Sequence, residues 1–150
     1  MTQDQVINAF AVAIAYAEGF YINGSRPQRN NNPGDLTVDI IGRGVGFDGP
    51  FVVYSTPNDG WEALRAQVGK IINNTSSIYN SNMTIAEIAQ RYTTTEQSSW
   101  ALNVANKLGV SPDTRIGDLI QTAENVAIGG GIGIGVVVII AVLFYLSRKN

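Results

Sequence analysis

Residues 15–36 read AYAEGFYINGSRPQRNNNPGDL, and the way this stretch turns decides the fold. A run with helical spacing ends in a lone acid, Glu18, followed at once by Gly19. Upstream, Val6, Ile7, Phe10, Ala11, Ile14 and Ala17 form one apolar stripe, and Thr2 with Gln5 fits a capping box. The spacing predicts a helix over 3–18, with Gly19 in the left-handed position that closes it. Glu18 falls on the apolar stripe, four residues after Ile14 and eight after Phe10. Burial there disfavours the charged form, and the negative end of the helix dipole disfavours an anion again. Both effects raise the pKa towards a carboxyl group that stays protonated near neutral pH and can give up its proton, as a general acid must. The alternative for the same position is a frayed helix end with Glu18 in water.

The second half of the stretch, RNNNPGDL, is a turn rich in amides. Pro33-Gly34 fixes its direction, and a positive φ is expected at Gly34. Asn30, Asn31 and Asn32 carry donors and acceptors that can hold neighbouring backbone, or hydroxyl and acetamido groups on a sugar.

Working outward, LTVDII and FVVY read as two short strands on either side of GRGVGFDG. Gly44, Gly46 and Gly49 match a dinucleotide-binding spacing, but Pro50 and a strand follow where that motif requires a helix, so the match is rejected in favour of a flexible lip. Thr56 and Pro57 open a helix whose apolar positions are Trp61, Leu64, Val68, Ile71 and Ile72. After the polar NNTSSIYNSN, a second capping box, Thr84 and Glu87, precedes Ile85, Ile88, Ala89 and Tyr92. A helix over 100–108 ends at Gly109, and Ser111-Pro112 starts a last turn or helix. The soluble part is therefore mainly α with one small β-hairpin and no internal repeat.

The C-terminus differs in kind. No charged residue occurs from 125 to 147, and 126–146 reads VAIGGGIGIGVVVIIAVLFYL. Twenty-one helical residues span about 30 Å, the thickness of a bilayer's hydrocarbon core. The expected organisation is a domain over 1–120, a linker over 121–125, a transmembrane helix over 126–146 and a basic tail over 147–150. Gly129, Gly131, Gly133 and Gly135 have the spacing that permits close helix approach, or are simply tolerated in lipid. MTQDQVINAF has no basic n-region and carries Asp4, so a signal peptide is not expected. Arg148 and Lys149 suggest a cytoplasmic C-terminus, which the lack of a signal peptide opposes, so the orientation stays open.

Composition narrows the chemistry. The 150 residues include neither cysteine nor histidine, which excludes thiol chemistry, histidine triads and His-ligated zinc. No cofactor or metal is expected. Net charge is −2 with the basic residues scattered, which argues against nucleic acid as a partner. Acid–base work falls to Asp, Glu, Tyr or Lys.

The order Glu-Gly at the end of the first helix, RNNNPGDL, an aromatic-rich strand, STPNDGWEAL and then WALNVANKLGVSPDT resembles lysozyme-like lytic transglycosylases of phages, over about 10–119. Combined with a C-terminal anchor, it resembles the virion-associated lytic enzymes of tailless, membrane-containing phages. Asp35 departs from the pattern, where Asn is expected; it either keeps the turn or adds a second carboxylate. The resemblance implies a lysozyme-like α+β fold and makes Glu18 the catalytic acid, later the base. It would protonate the glycosidic oxygen between N-acetylmuramic acid and N-acetylglucosamine, and the substrate's 6-hydroxyl would attack to give a 1,6-anhydro product. A hydrolytic lysozyme would need a second carboxylate, about 5–5.5 Å away if retaining or roughly 6.5–9.5 Å if inverting. Asp35 and Asp39 are the candidates, and Glu62 is the other acid to consider if Glu18 is not the catalytic one. Asn31, Asn32, Asp35, Tyr54, Tyr92 and Trp100 are the candidate substrate contacts, the three aromatics either stacking on sugar rings or packing in the core. The expected partners are peptidoglycan glycan strands, the lipid bilayer, and other virion membrane or capsid proteins. A non-catalytic peptidoglycan-binding module and a structural virion membrane protein are the competing classes. The expected location is the internal membrane of a virion, or else the bacterial inner membrane.

Overall fold

The Thr2 side chain accepts from the Gln5 backbone N–H, and the Gln5 side chain accepts from the Thr2 N–H (2.8 Å), a complete capping box that starts helix α1 (Gln3–Ala17). Its buried face is Val6, Phe10, Ala11, Ala13, Ile14 and Ala15: four positions of the predicted stripe are buried, Ile7 and Ala17 are only partly so, and Ala13 and Ala15 widen it. A computed structural model describes residues 1–121 of the chain. Linker residues 122–125, the membrane helix over 126–146 with its glycines, and the tail lie outside the described residues. Among the described residues, no helix is long and apolar enough to cross a membrane.

After α1 come a single helical turn, α2 (Arg26–Arg29), then strands β1 (Gly44–Asp48) and β2 (Phe51–Tyr54). Helices α3 (Pro57–Ile72), α4 (Ile85–Tyr92), α5 (Gln97–Leu108) and the short α6 (Asp118–Gln121) follow. The described part is mainly helical with one two-stranded antiparallel sheet. Side-chain oxygens cap three starts as the sequence predicts: Thr2 on α1, Thr56 on α3 with Pro57 in first place, and Thr84 on α4 with Glu87. The helix expected from Trp100 begins earlier, at Gln97, and ends at Gly109 with φ 72° as expected.

α1 lies between α3 and α5, and α4 packs on α5. One apolar core joins them, with Phe10, Ile14, Leu64, Ile71, Ile88, Val104 and Ile116 all fully buried. A lone bridge between Thr84 and Arg115 ties the segment before α6 to the start of α4.

The hairpin corrects the sequence reading. LTVDII forms no strand; β2 pairs instead with the glycine-rich GVGFD, which becomes β1 rather than a loop. Asp48 opposes Phe51 across Gly49-Pro50, and Gly49 has φ 60°, the positive value a two-residue hairpin turn needs at its first position. The closer partner in sequence wins because its loop is shorter to close. Of the predicted first strand, one ladder contact remains: the Val52 N–H donates to the Leu36 carbonyl (2.9 Å). All five residues of β1 are exposed, whereas Val52 and Tyr54 of β2 point into the core.

Candidate active site

The end of α1 is a complete left-handed closure. Gly19 has φ 78°, its N–H donates to the Tyr16 carbonyl (3.1 Å), and the Phe20 N–H returns to the Ala15 carbonyl (3.0 Å). Glu18 is the last residue before that glycine and retains helical backbone angles. The turn therefore fixes where its side chain starts. The far end is fixed by α5: the Trp100 indole N–H donates to Glu18 Oε1 at 2.6 Å. Trp100 is itself 5% exposed and stacks on Tyr92 from α4, ring centroids 5.0 Å apart at 29°. Such a pair is worth roughly 0.5–1.5 kcal/mol beyond the area it buries, so the indole is a rigid donor.

These surroundings push the Glu18 carboxyl from 4.5 up to about 7. Desolvation by burial is the main cause; the Trp100 hydrogen bond opposes it, the negative charge of Asp35 adds to it, and Arg26 opposes it more weakly. A carboxyl group with that pKa is substantially protonated at neutral pH. Its Oε2 has no hydrogen-bond partner among the described residues, while Oε1 is held by the indole.

The asparagine loop is a brace. Asn32 is 0% exposed; its Nδ2 donates to the carbonyls of Leu36 and Val52, both at 2.9 Å, and its Oδ1 accepts from the Leu36 N–H at 2.9 Å. It was expected against substrate, and it instead stitches the loop to the outer edge of β2. Asn31 Nδ2 donates to the Tyr54 carbonyl (3.0 Å), and the Tyr54 N–H donates to the Asn30 carbonyl (2.9 Å). Three loop residues thus satisfy an edge that would otherwise lie open. Tyr54, 1% exposed, is a core residue and offers no face to a sugar; its buried hydroxyl is unpaired, and burial, with some help from Asp39, raises its pKa to about 12.

Gly34 also requires a correction. The positive φ values in this loop belong to Asn31 (51°) and Asp35 (48°), not to Gly34. Gly34 is needed for space: a Cβ there would stand 2.6 Å from Leu64 Cδ1 and 3.1 Å from the Tyr92 hydroxyl. That hydroxyl donates to the Gly34 carbonyl (2.7 Å), and burial raises its pKa well above the usual value, so it remains a donor. Gly60 on α3 does the same from the other side, where a Cβ would meet the Asn31 carbonyl oxygen at 1.8 Å.

Asp35 therefore both keeps the turn and brings a second carboxylate. Both of its oxygens are engaged by Arg26, one through Nε at 3.1 Å and the other through the terminal nitrogen. Arg26 in turn stacks over the Phe51 ring, 3.4 Å from its centroid. Asp39 is occupied elsewhere, accepting from the backbone N–H groups of Arg43 (3.2 Å) and Gly44 (2.8 Å). Glu62 is ion-paired with Arg43. The structure thus gathers Glu18, Trp100, Tyr92, Gly34 and Asp35 at one place. Asn32, Tyr54, Asp39 and Glu62 serve other contacts.

Arg26 was not picked out by reading the sequence. Its signal was faint: a basic residue beside Pro27, nine positions before an aspartate that departs from the expected asparagine. Among the described residues, no cluster of acidic side chains could hold a metal ion. Comparison with protein-family models, with curated proteins and with solved structures returned no match.

Proposed function

We propose that the chain is a peptidoglycan-cleaving enzyme of the lysozyme-like lytic transglycosylase type, with Glu18 as its acid and then its base. The observation that carries this reading is the Glu18 carboxyl itself, poised at about 7 with one oxygen on the Trp100 indole and the other free. Oε2–H gives its proton to the glycosidic oxygen as the bond to the N-acetylmuramic acid C1 breaks. The resulting carboxylate takes the proton of that residue's 6-hydroxyl, whose oxygen closes on C1. Proton count balances, no water enters, and the product is the 1,6-anhydro sugar. The engagement of both Asp35 oxygens by Arg26 favours this one-carboxylate route over hydrolysis, which needs a free second carboxylate.

The apolar sequence over 126–146 extends the proposal: a single-pass C-terminal anchor that holds the enzyme in the internal membrane of a virion, for local wall penetration during phage entry. Full-length protein should then enter the detergent-rich phase in a phase-partition assay.

The deciding experiment is mass spectrometry of glycan fragments released from purified peptidoglycan sacculi by the full-length protein in detergent. Anhydro ends, one water lighter than reducing ends, are expected. Reducing ends would replace the transglycosylase with a hydrolase using Asp35. Release of no fragments would leave a non-catalytic binding or structural protein.

A further inference from the structure

On the face of α1 turned to α3, a shallow cavity of about 270 Å³ is lined by Asn8, Val12, Asn58, Trp61 and Arg65. It shares no residue with the Glu18 site, whose partners come from α4, α5 and the asparagine loop. Trp61 was read as one more apolar position of its helix, yet it is only partly buried and walls this cavity. Its ring is set by Phe20, edge-on at 5.6 Å and 79°, two residues past Glu18.

The polar groups around it have a consistent character. Arg65 has no ion pair or hydrogen bond among the described residues. The nearby acid does not compete for it, because the Glu62 carboxylate is taken by Arg43 and by the Asn58 amide (2.9 Å). The Asn8 amide and the Trp61 indole N–H have no partner among the described residues either. Arg65, the Asn8 amide and Trp61 thus line one cavity with polar groups that no other described residue engages. Guanidinium and N–H donors suit a carboxylate, and an indole face suits the C–H surface of a sugar ring.

We propose that this groove binds a carboxylate-bearing saccharide, with Trp61 against the ring, Arg65 on the carboxylate and Asn8 on a hydroxyl or acetamido group. The natural ligand this suits is an N-acetylmuramic acid unit whose lactyl carboxylate carries no stem peptide, a choice that rests on the function proposed above. The groove would hold glycan away from the reacting bond.

The test is a titration of full-length, ¹⁵N-labelled protein in detergent micelles with N-acetylmuramic acid, followed by NMR of the indole and side-chain amide signals. Trp61→Phe assigns the Trp61 indole and keeps an aromatic ring for Phe20. Saturable shifts are expected at the Trp61 indole and at the Asn8 amide. Arg65→Gln should weaken binding about tenfold or more, the scale of one charge-assisted hydrogen bond, and N-acetylglucosamine, which has no carboxylate, should bind more weakly by a similar factor. No saturable shift at Trp61, shifts confined to Trp100, equal binding by Arg65→Gln, or equal binding of the two sugars would each overturn the proposal. Saturable, Arg65-dependent binding by a protein that releases no glycan fragments would support the groove and overturn the catalytic reading instead.

Discussion

The turn at 17–20 and the loop at 30–36 each bring one carboxyl group to the region of Trp100 and Tyr92, by different means. In the first, glycine takes the left-handed conformation and the acid before it stays helical, half-buried, with an indole as its hydrogen-bond partner. In the second, the acid itself takes the left-handed conformation, and an arginine grips both of its oxygens. The first environment favours a proton on the carboxyl group; the second supplies a cation to its charge. Two acids of nearly the same chemistry are thereby set apart: burial raises the Glu18 pKa to about 7, while Arg26 engages both oxygens of Asp35. The lesson is that neighbours, not residue type, assign the role.

The largest effect that tests this contrast is on rate. Glu18→Gln keeps size and can still accept from Trp100, but it has no proton to give. Sacculus lysis should fall by about 10²–10⁴-fold with the fold intact by circular dichroism. Near-normal lysis would move the role of acid to the other turn or to Glu62.

The next largest effect concerns the frame of the loop. Gly34→Val puts atoms where Leu64 and the Tyr92 hydroxyl already are, and should cost about 3 kcal/mol or more of stability in denaturant unfolding. A midpoint equal to the parent's would mean that the loop is not clamped as described.

Third is the pH dependence of stability. Glu18 is raised from 4.5 to about 7 on folding, so its neutral form is the favoured one in the native state. Its contribution is fully present below pH 4.5 and is lost as pH rises through about 7, a change of up to about 3 kcal/mol. Glu18→Gln should therefore match the parent in acid and exceed its stability above pH 7. Parallel stability curves for the two proteins would show that the carboxyl group is not desolvated.

The smallest effect separates the two turns most sharply. Asp35→Asn suits a left-handed backbone, and it removes a negative charge that raises the Glu18 pKa. It should cost under about 1 kcal/mol, since Arg26 is partly exposed, and keep most of the activity while moving the alkaline limb of the pH–rate profile to lower pH. Loss of activity on the scale of Glu18→Gln would make Asp35 a second catalytic carboxylate.

Local chemistry was the legible part. Thr2, Thr56, Thr84, Gly19 and Gly109 mark helix ends through contacts within a few residues, which a sequence displays directly. The apolar stripe of α1 was legible for the same reason, and so was the placing of Glu18 on it. What failed depended on how segments meet one another rather than on spacing within one element. LTVDII has strand-forming residues, but β2 had a nearer partner in a glycine run that strand propensity disfavours. Asn32 was legible as a hydrogen-bonding residue, whereas its commitment to Leu36 and Val52 depends on how two segments meet. Gly34 was singled out correctly for a reason the structure replaces, close packing in place of a positive φ. The Arg26–Asp35 pair left no periodic signal at all.

The hydrogen bond from Trp100 to Glu18 joins positions 82 apart in the chain. Every other anchor of Glu18 is local and can form as soon as α1 does, but the indole arrives only when α5 docks. Closing so long a loop is a slow step compared with forming a helix end. Desolvation of the carboxyl group belongs to that docking, so refolding between pH 4.5 and 7 ends with the capture of up to one proton from solution. A pH indicator in weakly buffered solution can thus time the completion of the site, separately from the formation of the helices.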